Sequence, residues 1–163
     1  MASQKTPKTN AMRILSARKT AYSTRTYEVD ESDLSGVHVA SQIGLEPDQV
    51  FKTLVAKGDR TSYLICGLPV HRSVDLKKLA AASSNKRVEL IPTKDILAVT
   101  GYVRGGCSPI GMKKDYPYYL DESVTQQNEI AISAGIRGAQ IILSPADLIS
   151  ATKAVLCDIL QPE

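Results

Sequence analysis

The run Val50-Phe51-Lys52-Thr53-Leu54-Val55-Ala56, closed by Gly58-Asp59 and answered by Ser62 to Gly67, constrains the fold most. Two β-rich apolar segments around a short glycine-bearing turn read as a β-hairpin. Strand side chains alternate, so Phe51, Thr53 and Val55 share one face and Val50, Lys52, Leu54 and Ala56 the other. Lys52 therefore stands among apolar neighbours. A lysine there needs a partner, a route to water or a task. Two readings stay open. One is an edge-strand lysine with its ammonium in solvent. The other is an ammonium that binds phosphate or stabilises developing negative charge.

The segments around this hairpin set the fold class. Asn10 is placed to cap a short helix carrying Met12, Ile14, Leu15 and Ala17. Tyr22 to Val29 alternates as a strand, and Leu34 to Ile43 reads as a helix stopped by Gly44. Asp75 to Ala82 is a helix capped by Ser73 or Asp75, Arg87 to Leu90 a strand, and Thr93 to Val99 a helix capped by Thr93. Strands are expected over Tyr116 to Leu120, Glu129 to Ser133 and Gln140 to Leu143. Ser144-Pro145-Ala146-Asp147 opens a last helix, on which Leu148, Ala151, Val155 and Ile159 recur at helical spacing. Hairpins and helices are interspersed without strict strand–helix alternation. The expected class is α+β: one curved, mixed β-sheet flanked by helices, in a single domain over residues 10–163 behind a loose tail over 1–9.

Composition removes several functions. No apolar run reaches the roughly 18 residues that span a bilayer, and no signal-peptide core opens the chain, so a soluble cytoplasmic protein is expected. Cys66, Cys107 and Cys157 are too dispersed for a disulfide framework, and His38 and His71 lack metal-ligand spacing, so neither a metal nor another cofactor is expected. Charge is uneven. Lys5, Lys8, Arg13, Arg18, Lys19 and Arg25 precede the first acid, Glu28, whereas acids dominate after Lys114. A basic half can meet a polyanion, but a solvated tail at Lys5 and Lys8 and a solvated helix face over Arg13 to Arg25 are the preferred account of the N-terminal cations.

The second feature is Gly101-Tyr102-Val103-Arg104-Gly105-Gly106-Cys107-Ser108-Pro109-Ile110-Gly111-Met112-Lys113-Lys114. Glycines let a ligand approach the main chain, and successive free N–H groups can hold an anion or a carbonyl oxygen. Arg104, Lys113 and Lys114 add positive charge. The stretch lacks the Gly-Lys-Ser/Thr of a phosphate loop and is not a dinucleotide fingerprint. Ser108 is not in a Gly-x-Ser-x-Gly elbow. Cys107 would need a base, and only the distant His38 and His71 are on offer. Tyr27, Tyr102, Tyr116, Tyr118 and Tyr119 can stack a base or simply suit strands. Ser133, Gly135 and Arg137, in a second glycine turn, face the first only if their strands pair suitably.

Taken together, Val-Phe-Lys-Thr-Leu-Val at 50–55, the Thr100–Lys114 segment and Ile-Ser-Ala-Gly-Ile-Arg-Gly at 132–138 resemble the signature regions of the YbaK family. Arg-Thr-Tyr-Glu at 25–28 and Gly-Leu-Glu-Pro-Asp-Gln-Val at 44–50 match its flanks, so the resemblance covers the chain from about Asn10 to its end. The family comprises aminoacyl-tRNA editing proteins related to the editing domain of bacterial prolyl-tRNA synthetases. The resemblance implies a mixed, partly barrel-like sheet and, in the nearest branch, release of cysteine from Cys-tRNA(Pro) or Cys-tRNA(Cys). It implies the 3′ end of an aminoacyl-tRNA as substrate and prolyl-tRNA synthetase as partner, with no DNA or membrane role.

By position, Lys52 matches the family's essential lysine, and Gly101 with Gly105, Gly106, Cys107, Ser108 and Pro109 matches its substrate loop. Tyr27, Phe51, Thr53, Ser133, Gly135 and Arg137 are the expected substrate-binding positions. Ala134-Gly135, where relatives often have paired glycines, and Gln140, at a position that can be acidic, depart from the pattern. In this branch the substrate's own thiol attacks its ester and forms a thiolactone, which makes the reaction formally lyase-like. Two rivals remain open: a deacylase for another small residue such as Ala-tRNA(Pro), and a non-catalytic tRNA- or synthetase-binding module. A thiol enzyme using Cys107 is a third.

Overall fold

The expected hairpin is the centre of the structure. In the computed structural model, which describes residues 8–163, β2 (Phe51–Gly58) pairs antiparallel with β3 (Tyr63–Pro69), setting Lys52 opposite Leu68. β3 in turn pairs parallel with β5 (Tyr118–Asp121), and β5 pairs parallel with β8 (Val155–Cys157). β4 (Val88–Leu90) flanks β2 only along Ala56–Gly58. Lys52 thus lies on the stretch of β2 that β4 leaves open, which explains how a strand inside the sheet carries a cation.

The single curved sheet expected from the sequence is two sheets. The five-stranded mixed sheet has order β4-β2-β3-β5-β8, and a three-stranded antiparallel sheet has order β1-β7-β6, with β1 at Ser23–Thr26, β6 at Ile130–Ser133 and β7 at Ala139–Leu143. A parallel bridge, Val50 to Ala131, links them without closing a barrel. Phe51, Val55, Ile65, Leu120, Ile132 and Ile141 form one core between the sheets, completed by Leu15 and Leu148. Each such side chain contributes about 1.5–3 kcal/mol by leaving water. The other face of the hairpin buries Leu64, Cys66 and Leu68 under Leu79 of α3 (Leu76–Ala82).

Helix termini follow local chemistry, with three corrections. α1 (Asn10–Ala17) is capped by Thr9, whose hydroxyl accepts from Met12 N–H at 3.2 Å; Asn10 instead donates to Gly111 O at 3.1 Å and ties α1 to the glycine stretch. Thr9 thus belongs to the fold, while residues 1–7 of the expected tail lie outside the described residues. Thr93 caps nothing, because the chain leaves Pro92 in a single 3-10 turn before α4 (Ile96–Thr100). The last helix, α5 (Pro145–Thr152), is capped by Ser144 as expected but ends at Lys153, which takes φ 55°. Val155 is therefore on β8, and Ile159 lies beyond it with its N–H on Asp121 Oδ1. Their helical spacing is coincidental: a strand pairing with β5 outweighs it. α2 (Gly36–Ile43) is capped by Ser35 and stops at Gly44. Among the described residues no helix is long and apolar enough to cross a membrane.

Candidate active site

A cleft of about 600 Å³ opens where the two sheets meet. Phe51, Lys52, Thr53 and Leu54 of β2 line it, with Ser133 and Gln140 from β6 and β7, Arg104, Gly105 and Cys107 from the glycine stretch, Arg137 from the second turn, and Tyr27 with Asp30 and Asp33 from the β1–α2 loop. Its size is that of ordinary small-molecule sites. The β6–β7 register explains the convergence, since it puts Ser133 directly opposite Gln140.

Lys52 is half-buried and carries no carboxylate partner among the described residues. Its Nζ reaches only Val70 O, at 3.5 Å. Burial holds its pKa below the usual lysine value, with the Cys66 thiol acting weakly the other way. An ammonium left without a counter-ion beside a cleft is electrostatically ready for an anionic ligand.

The two glycine turns do face each other. Arg137 Nε donates to Arg104 O at 2.8 Å. A Cβ on Gly106 would stand 3.0 Å from the Ile136 carbonyl carbon and 3.1 Å from Arg137 N, so the turns meet backbone to backbone. This contact narrows the expected substrate loop. Gly101 is the left-handed cap of α4, φ 84°, with its N–H on Leu97 O. Gly106 N–H donates to Val103 O. Ser108 is fully buried, and its hydroxyl accepts from Ile110 N–H. Pro109 has no N–H, and Gly135 lies against Tyr102. None of these five lines the cleft. Gly105 and Cys107 do, and their N–H groups take part in no hydrogen bond among the described residues. Both are candidate donors for a carbonyl oxygen.

The Cys107 thiol has no histidine beside it. His38 sits between Asp30 and Asp33, and His71 pairs with Asp48 at 3.1 Å. Burial pushes the Cys107 thiol up to about 11, away from the thiolate that a nucleophile requires. Cys107→Ala, which keeps the backbone N–H, is expected to hold turnover within about threefold of wild type; a loss beyond that in a steady-state assay would restore the thiol-enzyme reading.

The tyrosines act mostly as supports. Tyr102 is buried with its hydroxyl on Ile110 O at 2.6 Å, and Tyr116 donates to Val99 O at 2.6 Å. Tyr118 is buried inside the sheet. Among them only Tyr27 lines the cleft. Arg25, from the basic N-terminal part, is occupied in the fold, donating to Ile43 O at 2.8 Å. Conversely, Gln140 gains weight. It is 7% exposed, lines the cleft, and its Oε1 has no hydrogen-bond partner. A buried acceptor without a donor is uncommon and points to a ligand group. In the sequence it is visible only as a departure from a family pattern.

Comparison with known proteins identifies the family. The family model of the aminoacyl-tRNA editing domain matches residues 35–151, which contain β2, both glycine turns and Gln140. The chain belongs to the aminoacyl-tRNA editing family. Its likeness to an Enterococcus faecalis protein named as a candidate Cys-tRNA(Pro)/Cys-tRNA(Cys) deacylase, EbsC, is 46% identity over 100% of both chains. A proline–tRNA ligase of Streptomyces griseus is 32% identical over 88 residues, 53% of this chain and 15% of the ligase. A crystal structure described as a candidate trans-editing enzyme for prolyl-tRNA synthetase superposes with TM-score 0.81 at 22% identity, over 98% of this chain and 100% of that one. This last match establishes the fold.

Proposed function

We propose that the protein is a trans-editing deacylase that releases cysteine from Cys-tRNA(Pro), with Cys-tRNA(Cys) a secondary substrate. One observation carries the reading. The cleft joins an unpaired ammonium, Lys52, to two free N–H groups, Gly105 and Cys107, and has no nucleophile–base pair. Such a site can hold an activated ester and stabilise an oxyanion, but it supplies no attacking group. A cysteinyl ester brings its own. The substrate sulfur bonds to the ester carbon, the carbon–oxygen bond to the ribose breaks, and the thiol proton passes to the departing ribose oxygen. The products are a thiolactone and free tRNA, with no water consumed.

In this reading the N–H groups of Gly105 and Cys107 hold the carbonyl oxygen. Lys52 anchors the terminal phosphate or sugar as a point charge. Gln140 Oε1 accepts from the substrate's α-amino group. Phe51, Thr53, Tyr27 and Ser133 shape the pocket, and Arg137 braces the glycine turn. Gly101, Gly106, Ser108, Pro109 and Gly135 are positioning residues. The tRNA body is selected by prolyl-tRNA synthetase, the expected partner in the cell.

A panel of tRNA(Pro) charged with cysteine, serine or alanine, together with Cys-tRNA(Cys), tests this with and without the synthetase. Cysteinyl esters are expected to be cleaved at least about a hundredfold faster than seryl or alanyl ones, since an oriented internal nucleophile is worth several kcal/mol. Equal rates for the alanyl ester would replace thiol assistance with a water-based deacylase. Tight binding with no turnover would leave a binding module.

A further inference from the structure

The rim of the cleft carries charges of both signs on different elements. On the β1–α2 side Asp30 and Asp33 line it, and Glu31 beside them reaches Arg137 at 3.8 Å. α4 and the glycine stretch form another part of the rim. There Lys94 follows the lining residue Thr93, Arg104 lines the cleft itself, and Lys113 sits on Gly101 with its Nζ donating to Ala98 O at 3.1 Å. Lys114 is next in the chain. Lys94, Arg104, Lys113 and Lys114 are all exposed, and none has an ion pair among the described residues despite the neighbouring Asp95 and Asp115.

We propose that this basic lip is the track of the RNA acceptor stem, so that the 3′ end enters the cleft across α4 and the glycine stretch and never across the acidic lip. The proposal rests on the deacylase reading for what lies inside the cleft and adds the direction of approach. A terminal nucleotide seated near Lys52 leaves the remaining phosphates outside the mouth. Those phosphates are repelled by Asp30, Glu31 and Asp33 and attracted to the four unpaired cations, wherever they pass within about one Debye length of them. A rival path exists. A groove beyond Lys52, lined by Leu54, Asp75, Lys77 and Leu90, could also lead a strand away. It has one exposed free lysine, Lys77, and an aspartate in its wall. The charge balance favours the α4 side.

The test compares two substrates, a cysteinylated acceptor minihelix and cysteinyl-adenosine, which lacks the stem. Lys94→Glu/Lys114→Glu is expected to lower kcat/KM on the minihelix by roughly tenfold to a hundredfold, and to flatten its dependence on log salt by about one per lysine. Cleavage of cysteinyl-adenosine should be unchanged, since neither lysine touches the cleft interior. Lys77→Glu should match wild type on both substrates. Equal minihelix rates in the double variant and wild type would overturn the proposal, as would parallel loss on both substrates or a loss confined to Lys77→Glu. If wild type cleaves neither substrate, the deacylase reading fails by itself. The lip is then judged by binding of the uncharged minihelix: weaker binding in the double variant supports it and equal binding overturns it.

Discussion

Lys52→Met is expected to lower deacylation of Cys-tRNA(Pro) by about a hundredfold, because an ester whose terminal nucleotide loses its anchor is held out of line with the attacking group. The same change is expected to leave the melting temperature unchanged or higher. Both expectations come from one fact: Lys52 is half-buried on β2, its only contact within hydrogen-bond range is Val70 O at 3.5 Å, and burial depresses its pKa. The folded state disfavours this proton relative to the unfolded chain. Below the folded value both states are protonated and the ammonium destabilises the fold. As pH rises from the folded value to the unfolded one, the unfolded chain holds more protons and stability increases. Methionine keeps the stem and removes the charge, so it abolishes that penalty. The pH profile provides a second check. Activity that depends on the ammonium should decline on the alkaline side below the usual lysine range, and Lys52→Arg should move that decline upward while restoring only part of the rate. A Lys52→Met protein that folds and turns over at the wild-type rate would remove Lys52 from the reaction.

How much of this was visible in the sequence depends on the range of the interaction involved. The hairpin was, because Gly58-Asp59 and two apolar strands are local signals. So was the Ser144 cap, and Asp75 was one of two candidates for its helix, for the same reason; the Ser35 cap was not foreseen. Lys52 stood out because a cation in an apolar run needs a partner, a route to water or a task, and the sequence left those open. Long-range pairing was not visible. The placement of Val155 on a parallel strand beside β5 depends on residues more than thirty positions away, and its spacing from Leu148 and Ala151 imitated a helix. The division into two sheets depends on how little of β2 is covered by β4 and on one bridge from Val50 to Ala131. The glycine stretch shows the same limit at atomic scale. Its composition announced a backbone site, but only the fold reveals that Gly101, Gly106 and Ser108 have their polar groups engaged internally while Gly105 and Cys107 do not. Gln140 carried no signal of its own; an unpaired Oε1 is a property of its surroundings.

Gly106→Val is the second large effect, and it separates position from chemistry. Gly106 does not line the cleft, its N–H is already bound to Val103 O, and it does not need a left-handed φ. A reading based on direct contact would therefore expect little. Its surroundings argue otherwise. The nearest atoms to an added Cβ are Ile136 C at 3.0 Å, and Arg137 N and Ile136 Cα at 3.1 Å. All are main-chain atoms, which cannot rotate aside as a side chain would. The branched Cγ atoms of valine force the two glycine turns apart, and this overpacking costs about 1–3 kcal/mol of stability. The separation also moves Gly105 and Cys107, the proposed donors on either side, relative to Ser133 and Gln140, which are held in the β6–β7 pair. A displacement near one ångström is enough to reduce kcat by about a hundredfold. Assayed well below its melting temperature, Gly106→Val should bind uncharged acceptor minihelix like wild type and release cysteine slowly. Gly106→Ala, needing only a few tenths of an ångström, should fall between. If the valine variant is folded and fully active, the turns do not have to stay in contact, and the Gly105 and Cys107 N–H groups are not the site of the carbonyl oxygen.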